Sequence, residues 1–458
     1  MLDGTVIKEL GAIVGPENVR DDDESRMSCS CDATRWRGEP DVVVGPRDTA
    51  EVAKVVTLAY ENSIPVTPRG AGTGLSGGSV PAAGGIVLTT GRMNATPRIH
   101  KEDLYAEVSP GVVTEEFQKL VEARGLFYPP DPSSQATCTL GGNIAECAGG
   151  LRGLKYGTTR HYVLGLEMVT PRGKVLFTGA RTVKSVAGYD ITRMMVGSEG
   201  TLGFITSAVL RLLPLPQARR ALSAGFPDLE TAAAAVSRLT GSGLVPSTLE
   251  VMDGTCTRAV GEYLKEDLGD AALLLVEFDG MPSVCDDNAE RAVTILKTEF
   301  KADVRPDVGP EDRERLWRAR RAALPALARL RPSALLEDFT VPRSKLPAMA
   351  GEIGKAAAKH SVRVAVFGHA GNGNLHPTFL ADSKDSDEMT RVKSAIGEIR
   401  QVCVDLDGTV SGGHRIGLDK KPYLKLDIGQ SGYEVMKSLK DSLDPKGIMN
   451  PGKMFYED

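Results

Sequence analysis

Three of the six histidines in this 458-residue chain fall in two short segments rich in glycine, and these segments hold the side chains best suited to chemistry. Val366-Phe367-Gly368-His369-Ala370-Gly371-Asn372-Gly373-Asn374-Leu375-His376-Pro377 carries two of them, and Val410-Ser411-Gly412-Gly413-His414-Arg415-Ile416-Gly417 carries the third. The spacing from His369 to His376 is not the i, i+4 pair of a metal-binding helix. It puts one imidazole on each side of a tight reversal, where two Nε2 atoms can share one cation. Each histidine alone is as readily a hydrogen-bonded structural residue. Three of six in two such segments favours a site.

A second pattern is Pro68-Arg69-Gly70-Ala71-Gly72-Thr73-Gly74-Leu75-Ser76-Gly77-Gly78, directly after the strand-like Ile64 to Thr67. Gly72, Gly74 and Gly77 fit the spacing of a dinucleotide fingerprint, but that motif needs its last glycine to open a helix. Pro81, Gly84 and Gly85 follow at once and forbid one, and the next element reads as the strand Ile86 to Thr89. Such a loop binds an anion by converging backbone N–H groups rather than by a helix dipole; the alternative is a plain surface loop. Leu140-Gly141-Gly142-Asn143-Ile144-Ala145 and Gly197-Ser198-Glu199-Gly200-Thr201-Leu202-Gly203 are two further glycine clusters, and three in one region point to one long ligand.

The elements that must position these groups follow from length and periodicity. A chain of 458 residues exceeds one ordinary core, so two domains or more are expected. Short apolar strands such as Ile86 to Thr89 and Leu104 to Val108 alternate with turns from Pro40 to about Leu215. The proline-punctuated run Leu212 to Arg220 then ends this half. Beyond it, the strand Leu222 to Phe226, helix Leu229 to Thr240 and strand Ser247 to Met252 are followed by Ala272 to Phe278, Ala289 to Phe300 and Ala302 to Val304 in the same order. This double β-α-β pattern predicts a ferredoxin-like sheet. One long helix is expected over Asp312 to Leu330, and the last forty or so residues return to the first domain. The expected division is 1–216, 217–410 and 411–458.

A net charge of -5 with no basic run argues against a nucleic-acid partner. The N-terminus lacks the basic and apolar regions of a signal peptide, and no stretch approaches about 20 apolar residues, so a cytoplasmic protein without a transmembrane segment is expected, peripheral to a membrane only through a partner. Seven scattered cysteines, with only Cys29 and Cys31 close together, form no pattern that holds an iron–sulfur cluster.

The loop Arg69 to Gly78, Tyr128 to Ser134, Leu140 to Gly150, Gly188-Tyr189-Asp190, Gly197 to Gly203 and the C-terminal Leu443 to Phe455 together resemble vanillyl-alcohol-oxidase-type flavoproteins, and most of all their glycolate oxidase catalytic subunit and D-lactate dehydrogenase group. The resemblance spans nearly the whole chain. It implies an α+β protein with a two-subdomain FAD-binding domain and a ferredoxin-like substrate (cap) domain. It also implies FAD contacts from Arg69, Gly70, Ala71, Gly72, Thr73, Gly74, Ser76 and Gly77, from Pro130, Asp131 and Ser134, and from Gly141, Gly142, Asn143 and Gly149. Glu199, Gly200, Gly203, Ile205 and Asn450 complete that set. No histidine lies between Arg69 and Pro81 to attach FAD covalently, so the flavin is expected to be non-covalent. Cys138 is read as a packing residue.

In this family two histidines and a glutamate bind a divalent metal (Zn, Fe or Mn) and the next histidine is the base. By resemblance His369 and His376 are the two imidazole ligands, His414 the base, Arg320 the substrate-binding arginine and Asn374 a substrate hydrogen-bonding residue. Gly413 stands where the glutamate belongs, and Asn372 where an aspartate is common. Three readings stay open: a metal site completed by water or a carboxylate such as Asp338, a metal-free site, or an inactive relative. The expected activity is oxidation of a small D-2-hydroxy acid such as glycolate or D-lactate, with hydride passing to flavin N5. Electrons would pass on to an iron–sulfur subunit, an electron-transfer flavoprotein or a quinone. The alternative is a flavin-binding relay subunit whose metal site decayed at Gly413. A lipid synthase of the same fold would carry a run of adjacent histidines, which this sequence lacks.

Overall fold

The computed structural model describes residues 2–307 and 309–456; Met1, Glu457 and Asp458, at the ends of the expected outer spans, lie outside that set. The chain forms two compact units. One comprises the chain up to Gly149, Thr158–Leu215 and the chain from Gly413 onward, and the other Gly150–Gly157 and Pro216–Gly412. Among the described residues no helix is long and apolar enough to cross a membrane.

In the first unit a four-stranded sheet has the order Val19–Arg20, Val42–Val44, Ile86–Thr89, Val66–Arg69. The last three run parallel, so a crossover must join 42–44 to 66–69. Helix Thr49–Glu61 is that crossover. Asp48 starts it by accepting the Glu51 N–H at 3.0 Å, and its Val52, Val55, Val56 and Ala59, at helical spacing, are fully buried beside Val42, Val44, Ile86 and Leu88. Residues 70–85 then lead to 86–89 without a helix, as Pro81, Gly84 and Gly85 require. A five-stranded antiparallel sheet follows, in the order Arg98–His100, Tyr105–Val108, Phe204–Arg211, Val163–Val169, Val175–Gly179. Its second strand begins one residue later than expected because Leu104 sits at φ 53°, outside the strand region.

The second unit is built on an eight-stranded antiparallel sheet. Its first four strands lie in the order Asp303–Pro306, Ala218–Phe226, Ala272–Gly280, Thr248–Met252. In chain order this is 4-1-3-2, the ferredoxin-like arrangement, and Arg363–Gly368, Asn374–Ala381 and Ser333–Leu336 extend it on the far side of 248–252. Strand residues alternate between faces. Leu249, Val251, Leu274 and Val276 enter one core with Ala232, Val236 and Leu296 of the crossing helices, which leaves Glu250 on the opposite face.

Two expected boundaries shift for physical reasons. The helix expected from Ala289 begins at Pro282, because proline is readily housed in a first turn. The single helix over 312–330 is two, Pro310–Arg321 and Ala323–Leu327. Pro325 has no N–H to donate to Arg321, and its ring crowds that carbonyl.

The turn between the two strands that carry His369 and His376 depends on Gly373. Its φ is +77°, and a Cβ there would collide with the Val341 carbonyl oxygen. Replacement by Ala is expected to destabilise the protein by about 2–3 kcal/mol, from strain plus the displaced carbonyl. Urea unfolding measures this, and a midpoint unchanged from the parent would show that the turn relaxes instead.

Candidate active site: a glycine cradle and an imidazole–carboxylate cluster

The glycine loop of the first unit is held from its flanks, and its centre is left open. Arg69 donates through Nη1 to the carbonyls of Cys31 at 2.8 Å and Ser79 at 3.3 Å, and through Nη2 to Ser28 at 3.3 Å. Its guanidinium therefore binds protein backbone and fixes the shape of the loop. Between these anchors, none of the backbone N–H groups from Ala71 to Ser76 donates a hydrogen bond among the described residues. Buried or half-buried N–H groups need an acceptor, and consecutive ones converging in a glycine loop suit a diphosphate. Thr139 and Gly142 close one side, since a Cβ on Gly70 would come to 2.5 Å from Thr139 Oγ1.

Several other residues expected to contact FAD gather at this loop. Ser76 donates to Glu146 Oε2 at 3.2 Å. Asn450 donates through Nδ2 to the carbonyls of Gly78 at 2.7 Å and Glu199 at 2.6 Å, and its Oδ1 is buried and accepts nothing among the described residues. Gly200, at φ +70°, packs on Pro68 of the strand that feeds the loop. Gly77, at φ +79°, packs on Leu418. Gly141 sits against Pro110, Asn143 donates to Thr114 Oγ1 at 2.6 Å, and Gly203 and Ile205 lead the strand 204–211 paired with 163–169. Pro130 and Ser134 belong to a separate turn, in which the Pro130 carbonyl accepts from Gln118 and the Ser134 carbonyl from Thr137 and Cys138. Asp131 in that turn is buried, and Gly149 lies beside Thr158. The open N–H groups and the unused Asn450 oxygen fit a flavin dinucleotide.

Charge is concentrated beneath this loop. Lost hydration raises the Glu146 carboxyl to about 8, with repulsion from Glu199 adding to the shift. Burial raises Glu199 as well, against the pull of Arg415 and the Ile416 and Gly417 N–H groups. Asp32 is raised by burial too. Lys453, which donates to the Val80 carbonyl at 2.6 Å, is lowered to about 8 by its own burial.

In the second unit His369 ends the strand Arg363–Gly368, and His376 pairs with Phe367 in the returning strand, so the two rings meet at 5.3 Å. The residue that organises them is Glu250. Its carboxylate accepts Arg320 Nε at 2.8 Å and Nη2 at 2.8 Å, and lies 2.8 Å from His369 Nδ1. With Nδ1–H donated to a carboxylate, the His369 lone pair is on Nε2. His376 places Nδ1 3.2 Å from the Glu337 carbonyl and 3.7 Å from Asp338 Oδ1, with the same consequence. Asn374 donates to Asp338 Oδ1 at 2.7 Å and Thr340 Oγ1 at 2.8 Å, and its own Oδ1 is buried without a donor among the described residues. The guanidinium of Arg320, 3% exposed, stacks over Phe367 at 4.8 Å. Arg320 is thus part of a buried ion pair and not of a solvated helix face, whereas Arg318 is exposed and paired with Glu266. His414 lies half-buried in the first unit.

Sequence reasoning missed Glu250. Its signal was present: one carboxylate in the otherwise uncharged, wholly buried strand Thr248–Met252, where an unpaired charge is not tolerated.

The chain is similar over nearly its whole length to known proteins. Residues 215–454 match the family of FAD linked oxidases, C-terminal domain, and residues 40–179 match an FAD binding domain. The chain is 44% identical to the glycolate oxidase subunit GlcD of Bacillus subtilis (strain 168), covering 100% of this chain and 98% of that protein. It is 36% identical to the GlcD subunit of Escherichia coli (strain K12), covering 94% and 87%, and 34% identical to a D-lactate dehydrogenase of Anaerostipes hadrus, covering 97% and 96%. In fold it is similar to p-cresol methylhydroxylase, with a TM-score of 0.82 over 98% of this chain and 96% of that one, at 17% identity.

Two outcomes follow from these charges. Replacing Glu250 with Ala strands the Arg320 charge and is expected to cost about 3–5 kcal/mol in urea unfolding; a loss below about 1 kcal/mol would mean that water reaches the guanidinium. Glu146 binds its proton more tightly folded, at about 8, than at its ordinary 4.5. The folded state therefore holds a proton that the unfolded chain has released, and stability falls as pH rises through this window. Glu146→Gln is expected to melt progressively higher relative to the parent between about pH 5 and pH 8. A gap that stays constant with pH would remove Glu146 as the cause.

Proposed function

Because the chain belongs to the FAD-linked oxidase family, as an FAD-dependent oxidoreductase of the glycolate oxidase and D-lactate dehydrogenase type, we propose that it oxidises a small D-2-hydroxy acid, glycolate or D-lactate, to the 2-oxo acid. The observation that carries this reading is the Glu250 carboxylate holding Arg320 and His369 at once. A 2-hydroxy acid needs both kinds of group: a fixed cation for its carboxylate and imidazole chemistry for its alcohol. Arg320 Nη1 donates to no group among the described residues, and it is the N–H offered to the substrate carboxylate. The buried Asn374 Oδ1 is an acceptor for the substrate hydroxyl.

FAD, when bound in the cradle of residues 70–78, supplies the hydride acceptor. The N–H groups from Ala71 to Ser76 would hold its diphosphate, and Asn450 would hold it from the other side of the loop. His414 takes the hydroxyl proton, since imidazole is the side chain that exchanges a proton most readily near neutral pH. A divalent cation (Zn, Fe or Mn) would be held by His369 and His376 through Nε2 and would make the hydroxyl more acidic. With Gly413 in the glutamate position, the buried Asp338, 3.7 Å from His376 Nδ1, would supply negative charge next to that ligand rather than replace the missing carboxylate at Nε2. The electrons would be accepted by a partner, an iron–sulfur protein, an electron-transfer flavoprotein or a quinone, a reading supported by relatives named as subunits.

The test is anaerobic titration of the yellow protein with glycolate, both lactate enantiomers and D-2-hydroxyglutarate. Glycolate or D-lactate is expected to bleach the flavin, and His414→Gln to retain flavin but slow bleaching at least about 100-fold. A flavin that none of these acids reduces would point to the relay reading. Near-normal bleaching in His414→Gln would remove that residue from the chemistry.

A further inference from the structure

Downstream of His414, the chain is fastened to the first unit by a set of buried hydrogen bonds. Glu199 Oε1 accepts the Ile416 N–H at 3.1 Å and Oε2 accepts the Gly417 N–H at 2.7 Å. The carboxylate is 3% exposed as a residue and is used on both oxygens by protein backbone. Glu199 itself stands at φ 54°, a conformation rare for a residue with a Cβ. Its N–H donates to the Ala145 carbonyl at 2.9 Å, and its own carbonyl accepts Asn450 Nδ2 at 2.6 Å. One residue therefore ties the end of the helix Leu140–Glu146, the C-terminal Asn450 and the turn after His414.

Arg415 completes the mount. It also lies in the left-handed region, at φ 64°. Its guanidinium occupies the space above Gly197, where any Cβ would collide with it, and Nε donates to the Glu146 carbonyl at 2.5 Å. The Leu418 N–H donates to the Ser76 carbonyl at 2.8 Å, and the Gly417 carbonyl accepts from Met454 at 2.9 Å. Two residues in a sparsely populated backbone region persist only where their surroundings over-determine them. Here the contacts that do so for Glu199 and Arg415 also hold the turn that follows His414.

We propose that Glu199 is a positioning residue for His414, acting through the Ile416 and Gly417 N–H groups to hold the backbone from which the imidazole projects, with Arg415 as the second fastening. The proposal rests on the reading of His414 as the base. It gives Glu199 a role apart from flavin contact, because both carboxylate oxygens are committed to protein N–H groups. A base displaced by about 1 Å loses on the order of 100-fold in rate.

The experiment is a double-mutant cycle of Glu199→Gln and His414→Gln in the full-length flavoprotein, reading flavin per chain, anaerobic bleaching rate with the acid that reduces the parent, and histidine NMR. Glu199→Gln is expected to keep its flavin and bleach at least about 10-fold more slowly, with the double variant within about threefold of His414→Gln alone. Independently of turnover, the Cε1–H resonance of His414, assigned by its loss in His414→Gln, should shift in Glu199→Gln while those of the other five histidines stay in place. Multiplying rate effects, an unmoved His414 resonance, or flavin loss with the loaded fraction bleaching normally would each overturn the proposal. Normal bleaching by His414→Gln would sink the base reading and this inference together, whereas slow His414→Gln beside normal Glu199→Gln would sink this inference alone. Should Glu199→Gln not fold, Arg415→Gly enters the same cycle with the same outcomes, since glycine accepts φ 64° without strain.

Discussion

The constraint that organises the imidazole cluster of the second unit is the buried carboxylate of Glu250. Glu250 is placed by strand alternation on the face of the sheet opposite the main apolar core, and there it must be neutralised. Arg320 arrives from the helix Pro310–Arg321 and His369 from the end of the strand Arg363–Gly368, so three elements distant in sequence meet on two oxygen atoms. A buried ion pair contributes little net stability, because desolvation consumes most of the Coulomb attraction. Its effect is geometric: losing any one partner leaves a charge or a donor unsatisfied, so the arginine and the imidazole stay in register with each other. Phe367 beneath the guanidinium and His376 beside His369 extend that register across the paired strands.

The first unit solves a different problem, holding a loop open. Glycine at 70, 72 and 77 allows close approach and positive φ, but a flexible loop would collapse onto its own donors. Arg69 prevents this by occupying three carbonyls on the flank, and Ser76 does so by reaching Glu146. The N–H groups left between them donate to nothing among the described residues, and free consecutive donors are what a backbone nest requires. The carboxyls of Asp32, Glu146 and Glu199 beneath the loop would oppose an anion if all were charged. Their raised pKa values, with Arg415 and Lys453 interleaved, reduce that opposition.

The chain closes this unit by returning from Gly413. Asp444 accepts the Ile448 and Met449 N–H groups, and Asn450 and Lys453 then donate to carbonyls of the glycine loop and its continuation. The last fifty residues therefore serve the same loop that the first eighty build. Their contribution is both apolar and polar: Ile448 and Met449 enter the core beside Val66 and Ile86, and the side chains of Asn450 and Lys453 satisfy carbonyls that the loop cannot satisfy itself.

Local chemistry written along the chain determined much of this. The prolines and glycines after Gly78 forbade a helix, the apolar spacing of residues 229–240 made one, the repeated strand–helix–strand order gave the ferredoxin-like sheet, and Gly373 set a turn that puts two imidazoles side by side. Each of these rests on steric or periodic rules acting within a dozen residues. Pro325 obeys the same kind of rule, since its missing N–H and its ring break the single helix that the arginine-rich, alanine-rich pattern around it predicts. What the tertiary structure alone decided is pairing. That Glu250 would find Arg320 seventy residues away, or that Glu199 would clasp the turn at Ile416 over two hundred residues on, is not encoded in any local pattern. The partner of a buried charge is chosen by whichever element packs against it, and a linear sequence fixes the charge without fixing the neighbour.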